Sequence, residues 1–555
     1  MTSSLQELDA TLQELHARKD AWVAVEIPQR ILYLRQCLEG TEQVAADWVR
    51  AACQAKGIDF GSPLAGEEWL SGPMATVRNI RLLMESLQQG AQPKPSRLKQ
   101  RPDGQWVARV FPQTVLDRLL FQGFTADVWL QPEKEAKQGV IYRRKDPAHL
   151  PPGKIALVLG AGNVASIGPL DVLYKLFVED QVVILKMNPV NQYLGPFIEK
   201  AFAPLVKDGF LRFAYGGAEV GQFLTDHEKV EAIHLTGSDK THDAIVWGVG
   251  EEGEARRRSG DRRLNKEISA ELGCVTPVLI TPGQWRPSEL AFQAQHVASM
   301  VAHNASFNCN AAKVLVTAKG WPQRREFMDK VRKALADAGS RMAYYPGAEQ
   351  RYQGFLDQYP QAQAVGQSGE KVVPWTLIED VPAKHGEYAL TNEAFCGVLA
   401  EIAVDASEPG DFLNKAVAFA NESIWGTLSC CLLIPPAVEK ANKAAFSQAV
   451  ANLRYGGIGV NVWPGVIYAL GCTTWGAFPG HTADDIQSGT GVVHNTLLFD
   501  DPEKSVLKAP FKIFPKPVWF ANHRTLDQVG RKMIRMEAEP SLAKLPGLVW
   551  AAIRG

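Results

Sequence analysis

The stretch "NASFNCNAAK", residues 304–313, sets one cysteine, Cys309, between two asparagines and among small residues. A thiol in that setting has two readings. Most free cysteines are small buried hydrophobes. A nucleophile instead needs room for a substrate and donors for a developing oxyanion, and small and amide-bearing neighbours supply both. A second stretch, "GAGNVA" at residues 160–165, fits the pattern GxGxxA, which lets a backbone approach a phosphate closely. That fingerprint also needs an acid about 20 residues on, at the end of the next strand, to hold ribose hydroxyls. Here the next strand ends in "LKMNP", with Lys186 and no carboxylate, while Glu179 and Asp180 precede that strand. The ordinary fingerprint therefore fails at its most informative position, and a glycine-rich turn made for packing explains the glycines equally well.

The elements that must position these residues follow from apolar periodicity. Residues 1–90 predict helices, with apolar positions three and four apart in "LQELDATLQELHARKDAW" and in the segment that follows it. Residues 91–104, rich in proline and lysine, predict a linker, and residues 105–150 look strand-like. From Lys154 strands and helices alternate: "KIALVLG", "VASIGPLDVLYKLFVED", "QVVILKM", "PFIEKAFAPLVKDG", "LRFAYGG", "VGQFLTDH", "VEAIHLTG", "DKTHDAIVWG", then "PVLI". Such alternation implies a parallel sheet covered on both faces, and ligands bind these sheets at the carboxyl ends of the strands.

Six short segments in order resemble the aldehyde dehydrogenase superfamily over about residues 10–500. The loop after the first strand, PWNFP in that family, is here "GAGNVASIGP" with Asn163. The strand-end VVLKP is "VVILKMNP" with Lys186, and FTGS is "HLTGSDKT" with Gly237 and Ser238. ELGGK is "ELGCVTP" with Glu271, GQxCxA is "SFNCNAA" with Cys309, and EIFGPVL is "EAFCGVL" with Glu393 and Phe395. The resemblance implies an α/β fold with a Rossmann-type parallel-sheet cofactor domain, an α/β catalytic domain and a small β oligomerisation arm. It divides the chain into N-terminal helices of the cofactor domain (1–104), an arm (105–150 and 480–500), a dinucleotide-binding domain (151–280), a catalytic domain (281–479) and a C-terminal extension (501–555).

The roles it implies are chemically consistent. Cys309 as thiolate attacks an aldehyde, its N–H and the Asn163 amide hold the oxyanion, and Glu271 activates water against the resulting thioester. Lys186 and Glu393 bind ribose hydroxyls of NAD or NADP. Gly237 and Ser238 face a phosphate at a helix N-terminus, and Phe395 packs near the nicotinamide ribose. Three other functions stay open, one of them an oxidoreductase acting on an aldehyde held by a partner protein. An acyl-CoA or acyl-phosphate reductase would pass the thioester to CoA or phosphate, and a non-catalytic relative would only bind.

The departures are specific. Cys274 and Val275 replace the Gly-Lys of ELGGK, Phe307-Asn308 replaces the Gly-Gln before the nucleophile, and His242 stands where a glycine is usual. A charged insert, "GVGEEGEARRRSGDRRLNKE", precedes Glu271, and the PFGG segment reads "TTWGAFPGH". The third residue after Lys186 is Pro189 rather than an acid. With no carboxylate to repel a 2′-phosphate, NADP is permitted beside NAD.

Composition sets the outer bounds. The chain has 555 residues, 46% hydrophobic and 21% charged, with 60 acidic against 59 basic side chains. That balance argues against a nucleic-acid partner. Eight cysteines without regular spacing predict neither a disulfide framework nor a metal pair. The polar start "MTSSLQELDA" predicts no signal peptide, and no apolar run reaches the ~18 residues of a membrane helix, so a reducing cytoplasm is expected. The extension "VLKAPFKIFPKPVWFANHRT" interleaves lysines with aromatics. It predicts a proline-braced arm against its own domain or a neighbouring subunit, with a lipid surface as the lesser reading. A homodimer or homotetramer is expected from the resemblance.

Overall fold

The structure is a computed structural model that describes residues 2–143 and 149–555. Residues 144–148, within the stretch expected to form part of an arm, lie outside the described residues. The first helix, Leu5–Val23, begins at Ser4, whose hydroxyl accepts from Glu7 N while Glu7 accepts from Ser4 N. This reciprocal cap satisfies two otherwise unpaired donors. Leu8, Leu12, Leu15 and Trp22 fall on one face of that helix and are buried, as are Leu34, Cys37, Trp48 and Val49 on Ile27–Ala55. All pack into one core with the smaller of two large sheets.

The expected linker contains a strand, β1 (Arg97–Gln100), antiparallel to β2 (Trp106–Phe111), which pairs with β3 (Thr125–Leu130). All four residues of β1 are exposed. An edge strand held by backbone pairing alone shows no inside-outside alternation, so "RLKQ" carries no strand signal. The region 105–150 is not strand throughout: Thr114 caps a helix at Val115–Leu120, and a second turn of helix spans Val140–Arg143.

The smaller sheet contains β4 (Lys154–Leu159), β5 (Gln181–Lys186), β6 (Leu211–Ala214), β7 (Ala232–Gly237) and β8 (Glu267–Leu272). Its spatial order is β8-β7-β4-β5-β6, with Gly489–Thr490 added beyond β8. These five strands run parallel, and β4 and β5 are buried from Ile155 and Gln181 to their ends. The chain leaves β4 in one direction and returns to β7 on its other side. The loops after β4 and β7 therefore diverge and leave a crevice at the carboxyl ends.

The larger sheet has eleven strands. At its centre β9 (Pro277–Ile280) and β10 (Val314–Ala318) run parallel to Val398–Val404, Ser429–Leu433 and Gly457–Val460. Pro502–Lys508 adds parallel to Gly457–Val460 and antiparallel to β3, so β1–β3 extend the chain's own sheet. Within 480–500 there are only two-residue strands, and Gly489 pairs with Glu271 on β8.

The C-terminal extension folds back on its own chain. Phe511 meets Trp285 edge-on, and Phe520 packs on Phe292 and His296, so these rings face inward while Phe514 is exposed. The helix Leu526–Ala538 docks on the N-terminal helices, where Glu537 bridges Arg78 and Arg81 at 2.6 Å each. Among the described residues no helix is long and apolar enough to cross a membrane.

Candidate active site

A cavity of about 1060 Å³ opens at the β4/β7 crevice, and all eight residues singled out in the sequence line it. Asn163 lies in the loop after β4, Lys186 ends β5, and Gly237 ends β7 with Ser238 just beyond. Glu271 stands one residue from the end of β8. Cys309, Glu393 and Phe395 come from loops of the larger sheet, so the cavity lies between the two sheets. Of the eight cysteines, Cys309 alone is not fully buried.

The loop before Cys309 has an unusual backbone. Asn304, Ala305 and Ser306 hold φ of 53°, 54° and 70°. Three successive left-handed residues with side chains cost on the order of 1–2 kcal/mol each and persist only where surroundings impose them. A buried polar cluster does so here. Asn304 N donates to Glu67 at 3.0 Å, and its side-chain amide donates to Asn163 O at 3.0 Å. Lys56 donates to Asn304 Oδ1 at 2.9 Å and Asn163 O at 3.1 Å while paired with Glu68 at 2.8 Å. Tyr344 OH donates to Asn304 Oδ1 at 2.9 Å. One lysine on the N-terminal helices thus joins the loop after β4 to the loop of the thiol. The Asn163 amide donates to Phe307 O at 2.9 Å. An amide nitrogen carries two hydrogens, so one remains for a ligand.

Cys309 and Glu271 line the cavity together, and Trp475 Nε1 donates to Glu271 Oε1 at 3.4 Å. Burial, reinforced by the Asp171 carboxylate, pushes Glu271 up to about 8, with the neighbouring Cys309 and Trp475 opposing. Burial and the neighbouring Glu271 charge likewise push the Cys309 thiol well up, with Lys313 opposing. The pair therefore rests neutral and is poised to lose one proton, which either member can then recover from the other. Asp171 sits on the helix Ile167–Phe177, accepts from Thr236 Oγ1 at 3.0 Å and lies 3.6 Å from His234 Nε2. Thr236 is the register partner of Glu271. Asp171→Asn removes the like charge. The pH profile of Cys309 alkylation by iodoacetamide is then expected to move about 0.5–1 unit to lower pH; an unchanged profile would show that Asp171 does not act on the pair.

The opposite wall suits a polar, hydroxyl-rich ligand. Lys186 is buried, its desolvation lowers its pKa, and among the described residues its Nζ has no hydrogen bond or ion pair. Ser238 caps the helix Asp239–Val246 through its own hydroxyl, which accepts from Thr241 N. Glu393 Oε1 accepts from Lys313 at 3.0 Å and from Cys274 N at 3.3 Å. A Cβ on Gly273 would come within 2.0 Å of Glu393 Oε2, so a side chain there would have to push the Glu393 carboxylate aside. The next residue tolerates a side chain, since Cys274 is buried facing Gly426. Phe395 has φ of 41°; Arg351 Nη2 donates to its carbonyl at 3.1 Å, and Phe307 and Tyr345 pack on its ring. The charged insert forms a helix, Gly250–Ser259, whose Glu252, Gly253 and Arg256 are among the residues lining the cavity.

Sequence reasoning missed Lys56, Asp171, Lys313, Tyr344 and Trp475. Lys313 had a usable signal, as a charged residue four after the cysteine and just before an apolar strand. Trp475 lies within the altered "TTWGAFPGH" segment. The other three carry no local mark of their partners.

No protein-family model matches the chain. Its fold is that of solved aldehyde dehydrogenases. An indole-3-acetaldehyde dehydrogenase in complex with NAD+ is 16% identical, with 92% of this chain and 90% of that one covered and a TM-score of 0.61. An NADP-dependent glyceraldehyde-3-phosphate dehydrogenase from Bacillus halodurans, complexed with NADP, is 14% identical over 92% of both chains, also at 0.61. A gamma-glutamyl-gamma-aminobutyraldehyde dehydrogenase from Burkholderia cenocepacia is 16% identical over 91% and 89%, at 0.62.

Proposed function

We propose, on the premise of that shared fold, that the protein oxidises an aldehyde to a carboxylic acid with NAD or NADP. The observation that carries this reading is the placement of Cys309 and Glu271 in one cavity with Glu393 and with Lys186, whose Nζ has no hydrogen bond or ion pair among the described residues. A buried ammonium without an acceptor calls for one, and ribose or phosphate oxygens fit it. The NAD+ and NADP held by the two similar enzymes named above support the same cofactor class. When bound, that cofactor supplies the hydride acceptor.

The chain's own residues do the rest. The neutral pair first gives one proton to solvent; the Glu271 carboxylate then takes the Cys309 proton, and the thiolate sulfur bonds to the aldehyde carbon as the carbonyl π pair moves to oxygen. The free hydrogen of the Asn163 amide and the Cys309 N–H, which has no partner among the described residues, hold that oxyanion. Collapse of the oxyanion expels hydride from carbon and leaves a thioester on Cys309. Glu271 passes its proton to solvent and then draws one from water. The water oxygen displaces sulfur, releasing the acid and restoring the thiol.

A panel of aldehydes of increasing chain length, assayed by absorbance of the reduced nicotinamide with NAD and NADP in parallel, with and without CoA, tests this. Steady turnover without CoA is expected for at least one aldehyde. Turnover that requires CoA would reassign the thioester to acyl transfer, and no reduction with any aldehyde would remove the dehydrogenase reading.

A further inference from the structure

Lys313 is buried at the start of β10, its side chain only 3% exposed, and the mechanism above gives it no task. Its Nζ reaches the carbonyls of Asn308 at 3.0 Å, Cys309 at 3.1 Å and Ala311 at 3.4 Å. It also reaches Glu393 Oε1 at 3.0 Å. One ammonium thus gathers three carbonyls of the loop that carries the thiol and ties them to a carboxylate on the cavity wall. Thr276 Oγ1 adds a bond to Cys309 O at 3.1 Å. Cys274 N also donates to Glu393 Oε1, at 3.3 Å.

We infer that Lys313 is a positioning residue that couples the occupancy of Glu393 to the reactivity of Cys309. The inference rests on the proposed reading, in which cofactor hydroxyls bind Glu393. With the cavity empty, Glu393 neutralises Lys313. Hydroxyls donating to Glu393 draw its charge away, and the ammonium then acts more fully on the thiol loop. The charged and titratable groups facing Cys309 are Glu271 on β8, Lys313, Glu393 and the Tyr468 phenol. Of these, Lys313 is the only cation, so it is the only one that favours the thiolate by charge.

The test uses the full-length protein and iodoacetamide, with modification of Cys309 followed by mass spectrometry across pH, without cofactor and with saturating NAD or NADP. In the wild type, cofactor is expected to shift the alkylation profile to lower pH. In Lys313→Met the profile is expected to lie higher, with alkylation near pH 8 slowed about tenfold, the equivalent of about one pKa unit. Its response to cofactor should be lost, while cofactor affinity read by tryptophan fluorescence stays within about threefold. Lys313→Arg keeps the charge and should recover part of the shift. Glu393→Gln frees the ammonium and should lower the profile without cofactor, which serves as the second probe if Lys313→Met does not fold. A folded Lys313→Met with the wild-type profile and cofactor response overturns the coupling, as does a Glu393→Gln profile that neither moves nor loses its response. A wild-type Cys309 that alkylates normally while no aldehyde is oxidised would instead defeat the dehydrogenase reading.

Discussion

Replacement of Cys309 by alanine is expected to abolish aldehyde-dependent reduction of NAD or NADP, with a loss of at least about 10³-fold in kcat. Such losses are typical when a covalent nucleophile is removed, because no other group forms the intermediate from which hydride leaves. Cofactor affinity should stay within about threefold, because the wall that carries Lys186 and Ser238 is built from β5 and β7, away from the thiol loop. Initial rates with the best aldehyde, paired with fluorescence titration of cofactor, decide it. Cys309→Ser should behave similarly, since a hydroxyl in this buried setting ionises far less readily than a thiol. Turnover above a tenth of wild type in either variant would take Cys309 out of the mechanism.

Glu271→Gln has two expected consequences. The thioester should still form, more slowly, because the thiol loses its nearest base, and its hydrolysis should fall by about 10²–10⁴-fold, the usual worth of a general base. Rapid mixing should then show a burst of reduced cofactor of up to one per active site, followed by slow turnover. A variant with no burst and normal steady turnover would assign the base elsewhere. The second consequence is a pH-dependent gain in stability. Glu271 is held near 8 in the folded protein against 4.5 for the free side chain. Between these values the folded state keeps a proton that the unfolded state has released, so the contribution of Glu271 to stability falls as pH rises through this window. Glutamine removes that loss. The difference in Tm between variant and wild type should be smallest near pH 4.5 and grow toward pH 8. Proton sharing with Cys309 reduces the effect to on the order of 1–3 kcal/mol, about 1–3 °C in a chain of this size. A Tm difference that is flat across the window would mean that Glu271 is not held protonated.

Part of this site was legible in the chain, because some information is strictly local. Apolar runs of six residues alternating with helical patterns after Lys154 announce a covered parallel sheet. The residues at the strand ends, Lys186 and Gly237, then fall at the ligand-binding edge without further knowledge. The resemblance supplied the order in which Asn163, Glu271, Cys309 and Glu393 arrive. The expected linker at 91–104 hid β1, since an edge strand exposed on both faces leaves no periodic trace.

Tertiary structure alone decided which charges meet. Asp171 raises Glu271 from exactly 100 residues away because a helix after β4 lies over the β7–β8 register. Lys313 finds Glu393 80 residues later because two loops of the larger sheet end beside each other. Lys56, at the end of an N-terminal helix, reaches the left-handed turn at Asn304 together with Glu67, Asn163 and Tyr344, and that distant cluster explains how three such residues persist in a row. A side chain's type fixes what it can donate, accept or attack, and its spacing fixes which face it shares. Its protonation and its partners depend on what the strand order packs around it, and that order is a property of the whole chain.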